Sequence, residues 1–592
     1  MDESFLINLN PQQKEAVQKT TGPSIILAGA GSGKTRVLVS KVINLVKNHK
    51  ISPSNILMIT FTNKAAKEMQ KRIISNLTSN SKLGFIGTFH SMCARILRID
   101  GAKLGINHNY LIYDESDQLK VIKKIIKEKD IKDFTPSYAL NRISSAKNEL
   151  ISPDNYLKIF SDHRAKEIAK IYIQYQKSLL KNSALDFDDL LIRSIELFQK
   201  SKSTLSKYQE IYRYVLVDEF QDTNLAQYLL TRLLASKYKN ITVVGDFSQS
   251  IYSWRGADIK NLEKFKNDFP STTIFKLEKN YRSTQMILDF AHQIILKNKT
   301  HPILHLTSSN KKGEEICFYE ADNEQEEGIY VVNEIRKLQN MGKLESIAAL
   351  YRTNAQSRVL EEVFLHFSIP YTLIGGVRFY ERKEIKDIIS YVRLFINPND
   401  ELSKDRIFKL GKRKWEKFKN LYDKIKNKIQ SITTEQVINR IFEETGYLEF
   451  YDEKDPEDFS RLENIKELKS VAIRFPDIGN FLEQVALVES EYFESEKRNV
   501  GEEGIKLMTL HQSKGLEFDT VFITGVEEGL LPHSRSIDDF FQLEEERRLF
   551  YVGITRARHR LYILSAKKRF IFGRLNYSIK SRFISEDEDV LF

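Results

Sequence analysis

The run AGAGSGKT, Ala28 to Thr35, follows an apolar stretch (Ser24 to Leu27) and precedes an apolar-periodic segment that begins at Arg36. It reads as strand, glycine loop and helix, the setting in which backbone N–H groups can wrap phosphate oxygens. Gly29, Gly31 and Gly33 leave those N–H groups free, with Ala30 and Ser32 between them. Lys34 supplies a point charge and Thr35 a hydroxyl ligand for Mg²⁺. The usual pattern starts with Gly where this chain has Ala28, so the match rests on Gly33-Lys34-Thr35 and its surroundings. The chemistry is nucleoside triphosphate binding; the bland alternative is a chance GKT in a flexible loop.

A second set of reactive residues follows the apolar run Tyr214 to Val217, which delivers Asp218, Glu219, Gln221 and Asp222 at its carboxyl end. An Asp there suits Mg²⁺, and the adjacent Glu suits proton abstraction from an attacking water. An acidic helix N-terminus would also place carboxylates there. A third run, Ile241 to Val244, ends in Gly245-Asp246 and leads into FSQSIYSWRGAD. In that loop Gln249 is placed to report on a γ-phosphate. Tyr252 and Trp254 offer flat faces for stacked bases, with Arg255 beside them. Aromatics also serve as ordinary core.

These residues need a large scaffold, and 592 residues give room for about four domains. Hydrophobic content of 41% is ample for burial, and a net charge of +11 favours a polyanionic partner without requiring one. Cys93 and Cys317 are the only cysteines, so neither a disulfide framework nor a cysteine zinc site is expected. The N-terminus lacks a basic flank with an apolar core, and no run of about 18 uncharged apolar residues occurs. A soluble, cytoplasmic protein with no membrane partner is expected.

Taken together and in order, AGAGSGKT, VDEFQDTN (Val217 to Asn224), GDFSQSIYSWRGA (Gly245 to Ala257), LEKNYRS (Leu277 to Ser283), TLHQSKGLEFD (Thr509 to Asp519) and RRLFYVGITRA (Arg547 to Ala557) resemble the helicase motifs of the UvrD/PcrA/Rep family of superfamily 1A DNA helicases. The resemblance implies an α/β fold of two recA-like P-loop motor lobes, parallel sheets flanked by helices, each with a mainly helical insertion. It implies ATP and Mg²⁺ as cofactors and 3′-to-5′ movement on single-stranded DNA, with unwinding of 3′-tailed junctions in repair, replication or recombination. Repair or replication proteins are the implied partners. A different class of function is a DNA-stimulated ATPase acting as a switch or clearing proteins without strand separation, which a reduced second insertion keeps open.

The resemblance also assigns residues. In LNPQQ, Gln13 is implied to read the adenine edge, and Arg36 with Tyr281 to sandwich the ring. Arg282 and Arg556 resemble arginine fingers that join Lys34 on the γ-phosphate, so that nucleotide state sets lobe spacing. Glu517 resembles a residue that contacts the ribose or stabilises the site. On the DNA side, TFTNKAAKEM implies contacts from Phe61, Thr62 and Asn63, and GTFHS from Thr88 and His90. LDFDDLL adds Phe187 to the stacking row, and His511 of the TLHQSKGLEFD motif is a further implied contact.

The implied boundaries are 1–100 and 185–276 for the first lobe around a helical insertion at 101–184. The second lobe takes 277–375 and 505–585 around a reduced helical insertion at 376–504, and 586–592 form an acidic tail. Amphipathic patterns at Leu119 to Ile126 and Ile168 to Leu180 support helices in the first insertion. In the second, relatives carry a Pro-Arg-Gly-Ile-Gly segment where this chain keeps only Gly411. Trp415, Phe418, Leu421, Tyr422 and Ile425 fall on one stripe of an amphipathic helix within the basic stretch Lys404 to Lys428. Phe247 and Ser248 stand where relatives have acidic residues, and the long C-terminal extension of many relatives is not expected after Ser581-Arg582-Phe583.

Overall fold

Short apolar runs buried on both faces need flanking helices and parallel neighbours, and the computed structural model contains two sheets built this way. It describes residues 4–77, 83–131, 135–342, 346–498, 504–571 and 574–585; the expected acidic tail lies outside them. The chain divides into two units, the first comprising Met1–Arg282 and Ile295–Lys311, the second Ser283–Ile294 and Lys312–Phe592.

In the first unit, α1 (Pro11–Gln18) precedes β1 (Ser24–Ala28), α2 (Lys34–Lys47), β2 (Ile56–Thr60), α3 (Asn63–Ile74), β3 (Phe85–Thr88) and α4 (Phe89–Asp100). After a short strand β4 (Leu111–Tyr113) the chain makes a helical excursion: α5 (Glu115–Glu128), α6 (Pro136–Asn148), α7 (Pro153–Ile159) and α8 (His163–Lys181). These helices bury their own core, including Ile122, Ile143, Ile168 and Tyr172. The chain returns through β5 (Ala184–Asp186), α9 (Phe187–Lys200), α10 (Lys202–Ile211), β6 (Tyr214–Val217), α11 (Leu225–Ala235), β7 (Ile241–Gly245), α12 (Asn261–Asp268) and β8 (Thr273–Leu277). The six-stranded sheet runs β3-β2-β6-β7-β1-β8, parallel throughout. β1 lies second from one edge, paired with β7, which in turn pairs with β6, so the loop at its carboxyl end opens on the same side of the sheet as those of β6 and β7, where ligands bind in such sheets.

Residues 277–282, read from the sequence as the start of the second lobe, pack with this first unit. The physical reason is pairing: β8 lies against β1, and β9 (Lys279–Asn280) then pairs with β10 (Thr307–Ser308).

In the second unit, after α13 (Gln285–Ile295), come β11 (Cys317–Ala321), α14 (Glu324–Asn340), β12 (Ile347–Tyr351), α15 (Ser357–His366) and β13 (Tyr371–Leu373). A second helical excursion, α16 (Lys383–Ile396), α17 (Glu401–Leu410), α18 (Lys412–Ile425), α19 (Thr434–Thr445), α20 (Pro456–Arg474) and α21 (Ile478–Arg498), has its own core. The basic stretch is two helices broken at Gly411, whose φ of 133° stops α17. On α18, Phe418, Leu421 and Ile425 are buried, while Lys414 is not free in solvent, donating to the carbonyls of Thr445 and Gly446. The chain then adds β14 (Ile505–Thr509), β15 (Phe518–Ile523), α22 (Phe540–Ile554), β16 (Ala557–Ala566), β17 (Lys568–Ile571) and β18 (Arg574–Tyr577). The main sheet is again parallel, ordered β11-β16-β15-β12-β14-β13.

Buried Arg569 of β17 holds this unit's sheet to α14: it donates to Glu527 at 2.7 to 2.9 Å and to Glu327 at 2.7 Å. Removing it leaves two buried carboxylates uncompensated. Arg569→Ala should therefore lower stability by about 3–5 kcal/mol, read as a shift in the urea midpoint.

Candidate nucleotide site and nucleic-acid interface

The glycine loop is closed by contacts that forbid larger residues. Gly33 caps α2 with φ +83°, and Gly31 has φ +64°, a conformation that costs L side chains energy. A Cβ on Gly31 would lie 2.7 Å from Arg282 Cβ and 2.9 Å from Asn280 Nδ2, and one on Gly29 would lie 2.4 Å from Leu306 Cδ2. Asn280 Nδ2 donates to the Ala30 carbonyl at 2.7 Å, and its Oδ1 accepts the Arg282 N–H at 2.7 Å. The Tyr281 N–H donates to the Gly31 carbonyl at 3.0 Å. Ala28 ends β1, buried, and Ser32 Oγ donates to the Gly29 carbonyl at 2.7 Å. Lys34 and Thr35 begin α2, where N–H groups and the helix dipole favour an anion, and Arg36 is exposed one residue on.

Gln13 lies under the loop rather than in solvent. Its Nε2 donates to the Ser32 carbonyl at 2.8 Å and its Oε1 accepts the Asn10 N–H at 3.1 Å. One N–H and one lone pair of the amide remain, the pair an adenine edge requires. Asn10 Nδ2 donates to the Tyr281 hydroxyl at 2.9 Å, and the Tyr281 ring is 39% exposed. Gln13, the loop, Arg36, Tyr281 and Arg282 are thus brought together within one unit.

The carboxylates follow β6. Asp218 is buried, and its Oδ1 has no hydrogen-bond partner. Burial, then the neighbouring Glu219, push its carboxyl up to about 7, with Lys34 pulling the other way. An orphaned carboxylate oxygen and the Thr35 hydroxyl at the head of α2 are a donor set that fits a hard divalent cation shared with phosphates. Among the described residues no three or more His, Cys, Asp or Glu form a metal cage, so the phosphates would supply the remaining ligands. Glu219 has φ +50° and ψ +42°, left-handed for a non-glycine residue. Gln221 holds it there: its Nε2 donates to Glu219 Oε2 at 2.7 Å and to Asp222 Oδ2 at 3.0 Å, and its Oε1 accepts the Asp246 N–H at 3.1 Å. Gln249 Nε2 donates to Asp246 Oδ2 at 2.6 Å, and burial raises the Asp246 carboxyl. Phe247 is core and Ser248 is buried, so neither presents a side chain to solvent.

The expected DNA contacts of the first unit are mostly at the surface. Thr62 is the cap of α3, accepting the Ala65 N–H, with Asn63 exposed beside it; Phe61 is half-buried, edge-on to Phe89 at 6.2 Å. Thr88 caps α4 in the same way. His90 meets Phe187 edge to face at 5.7 Å, and burial lowers its pKa, favouring a neutral ring. Phe187 and Trp254 are 46% and 54% exposed. Arg255 lies 4.5 Å over Trp254, and Tyr252 meets that ring at 6.5 Å.

The second unit holds the other candidates. Arg556 is buried, its guanidinium donating to the carbonyls of Val552 at 2.9 Å and Leu516 at 3.0 Å. Exposed Glu517 pairs with Arg558; burial pushes the Glu546 carboxyl up, but Arg352 outweighs it and holds it low, with a lesser pull from His511.

Residues 9–270 match the UvrD/REP helicase N-terminal domain, and residues 275–415 and 409–568 match the UvrD-like helicase C-terminal domain. The chain belongs to the UvrD/Rep helicase family. Among similar proteins, the ATP-dependent DNA helicase PcrA of Bacillus subtilis is 43% identical over 100% of this chain and 87% of its own length. PcrA of Staphylococcus epidermidis RP62A is 43% identical over 99% and 87%, and that of Staphylococcus aureus NCTC 8325 is 42% identical over 98% and 86%. Among the described residues, no helix of this UvrD/Rep family chain is long and apolar enough to cross a membrane.

Reading residues by type alone left Asn10, Gln221 and Asn280 without roles, although each stands inside a quoted motif. The usable signal is adjacency: a buried Asn beside Tyr281 and Arg282 must spend its amide on something, and here it spends it on the glycine loop. Gly31→Ala should weaken ATP binding more than about tenfold while leaving the rest of the fold intact, because backbone strain of about 1–3 kcal/mol adds to the clash with Arg282 and Asn280. Titration with a fluorescent ATP analogue, alongside circular dichroism, measures this.

Proposed function

We propose that this chain is a cytoplasmic ATP-dependent DNA helicase that moves 3′ to 5′ along single-stranded DNA and opens 3′-tailed duplexes in repair, replication or recombination. The observation that carries the reading is a phosphate loop prebonded to the Tyr281-Arg282 segment, with the Asp218-Glu219 pair ending a strand of the same sheet. The names of the PcrA relatives support DNA as the track.

In this reading the loop N–H groups and Lys34 bind the triphosphate, Gln13 selects adenine, and Arg36 and Tyr281 stack on it. Thr35 and Asp218 would hold Mg²⁺, which supplies charge neutralisation on the phosphates. Glu219 takes a proton from the attacking water, oriented by Gln221, while Gln249 senses the γ-phosphate. Arg282 and Arg556 stabilise charge on the transferred phosphoryl group, and Glu517 supports the ribose side. Phe61, Phe187, Tyr252 and Trp254 offer faces to bases of any sequence. Thr62, Asn63, Thr88, His90, Arg255 and His511 contact the strand beside them.

The test compares ATPase rates with and without single-stranded DNA, and unwinding of 3′- and 5′-tailed duplexes, for wild type and Glu219→Gln. Strong DNA stimulation and opening of the 3′-tailed duplex alone are expected. Glu219→Gln should lose about 10²–10⁴-fold in kcat and keep its ATP affinity. Preference for the 5′ tail would overturn the direction, and hydrolysis without strand release would leave a translocase or switch.

A further inference from the structure

Phe187 and Trp254 are about half exposed, and their ring contacts, with His90 and with Tyr252 and Arg255, come from residues of neighbouring loops and helix ends. The backbone that carries each ring is fastened to the same helix end. Lys147, second to last in α6, is buried and donates to Asp186 Oδ2 at 2.6 Å and Asp189 Oδ1 at 2.9 Å. Asp186 caps α9 immediately before Phe187, accepting the Asp189 N–H at 2.7 Å, and also accepts the Tyr175 hydroxyl at 2.8 Å. Ser144, one turn earlier on α6, donates to Asp188 Oδ2 at 2.6 Å.

The next residue, Asn148, serves the other platform. Its Oδ1 accepts Asn224 Nδ2 at 2.6 Å, and Asn224 caps α11, the helix that follows the carboxylate loop. Gly256 closes the Tyr252–Arg255 turn at φ +84°, and a Cβ there would stand 3.5 Å from Asn148 Cβ and 3.7 Å from Asn224 Cβ. The turn therefore passes close to both asparagines, and the Asp258 N–H just after it donates to the Thr223 carbonyl at 3.0 Å.

We infer that Lys147 and Asn148 are positioning residues which fix the Phe187 and Trp254 faces relative to each other, setting the spacing at which a single strand stacks its bases. This rests on the proposed role of those rings in DNA binding. The effect of α6 on the two rings passes through Asn224 and Asp186.

Lys147→Met would leave buried carboxylates unpaired and endanger folding, so Asn148 carries the test. The chain has only Trp254 and Trp415, so a Trp415→Phe parent reports the loop through Trp254 alone. Oligothymidylate titrations of the full chain follow Trp254 quenching and ATPase stimulation. Asn148→Ala should raise half-saturating DNA by about threefold to tenfold, the loss of one hydrogen bond, with DNA-free kcat and KM for ATP unchanged. Asn148→Asp keeps an acceptor for Asn224 and should restore the parent value. Unchanged DNA half-saturation in Asn148→Ala, or no rescue by Asp, overturns the inference. Trp254→Leu, assayed in parallel by ATPase stimulation, separates the two levels: a normal response there removes the base-platform reading and this inference with it. A weakened response beside a normal Asn148→Ala removes the positioning role alone.

Discussion

The first unit depends on a crowded contact at Gly31. With no side chain there, Asn280 and Arg282 close onto the glycine loop, and the bonds of Asn280 to Ala30 and of Tyr281 to Gly31 hold it. A loop already held by such bonds loses less freedom on binding a ligand. The same contact fixes Tyr281 and Arg282 against the loop together, since they are neighbours on one short segment.

A second constraint lies in the buried polar layer under the sheet's carboxyl edge. Gln221 links Glu219, Asp222 and Asp246, and Gln249 adds a further bond to Asp246. Buried amides and carboxylates in such a layer are favourable only when their bonds are made, so each member restricts the others. This couples the strand ends of β6 and β7, and Ser250 Oγ, donating to the Gln221 carbonyl at 3.1 Å, extends the coupling toward the aromatic turn.

Much of this architecture was legible in the chain. Runs such as Tyr214 to Val217 and Ile347 to Tyr351 are strands because residues apolar on both faces must be covered on both, and the first delivers Asp218 and Glu219 at its carboxyl end. The stripe Trp415 to Ile425 became α18 for the same kind of reason. What stayed hidden were pairings across long stretches of chain: Lys147 with Asp186 and Asp189, Asn148 with Asn224, Asn280 with Ala30. Periodicity records which face a residue shows, not which distant partner will satisfy it. The placement of 277–282 escaped for a related reason, since strand pairing of β8 with β1 is a property of the folded sheet.

Glu219 occupies a backbone conformation that glycine or asparagine would adopt with less cost. Selection for thermal resistance alone would thus push this position toward residues that relax the turn and remove the carboxylate. With Glu219 as the proposed base, a library sorted by heat or protease survival has to be scored for turnover as well.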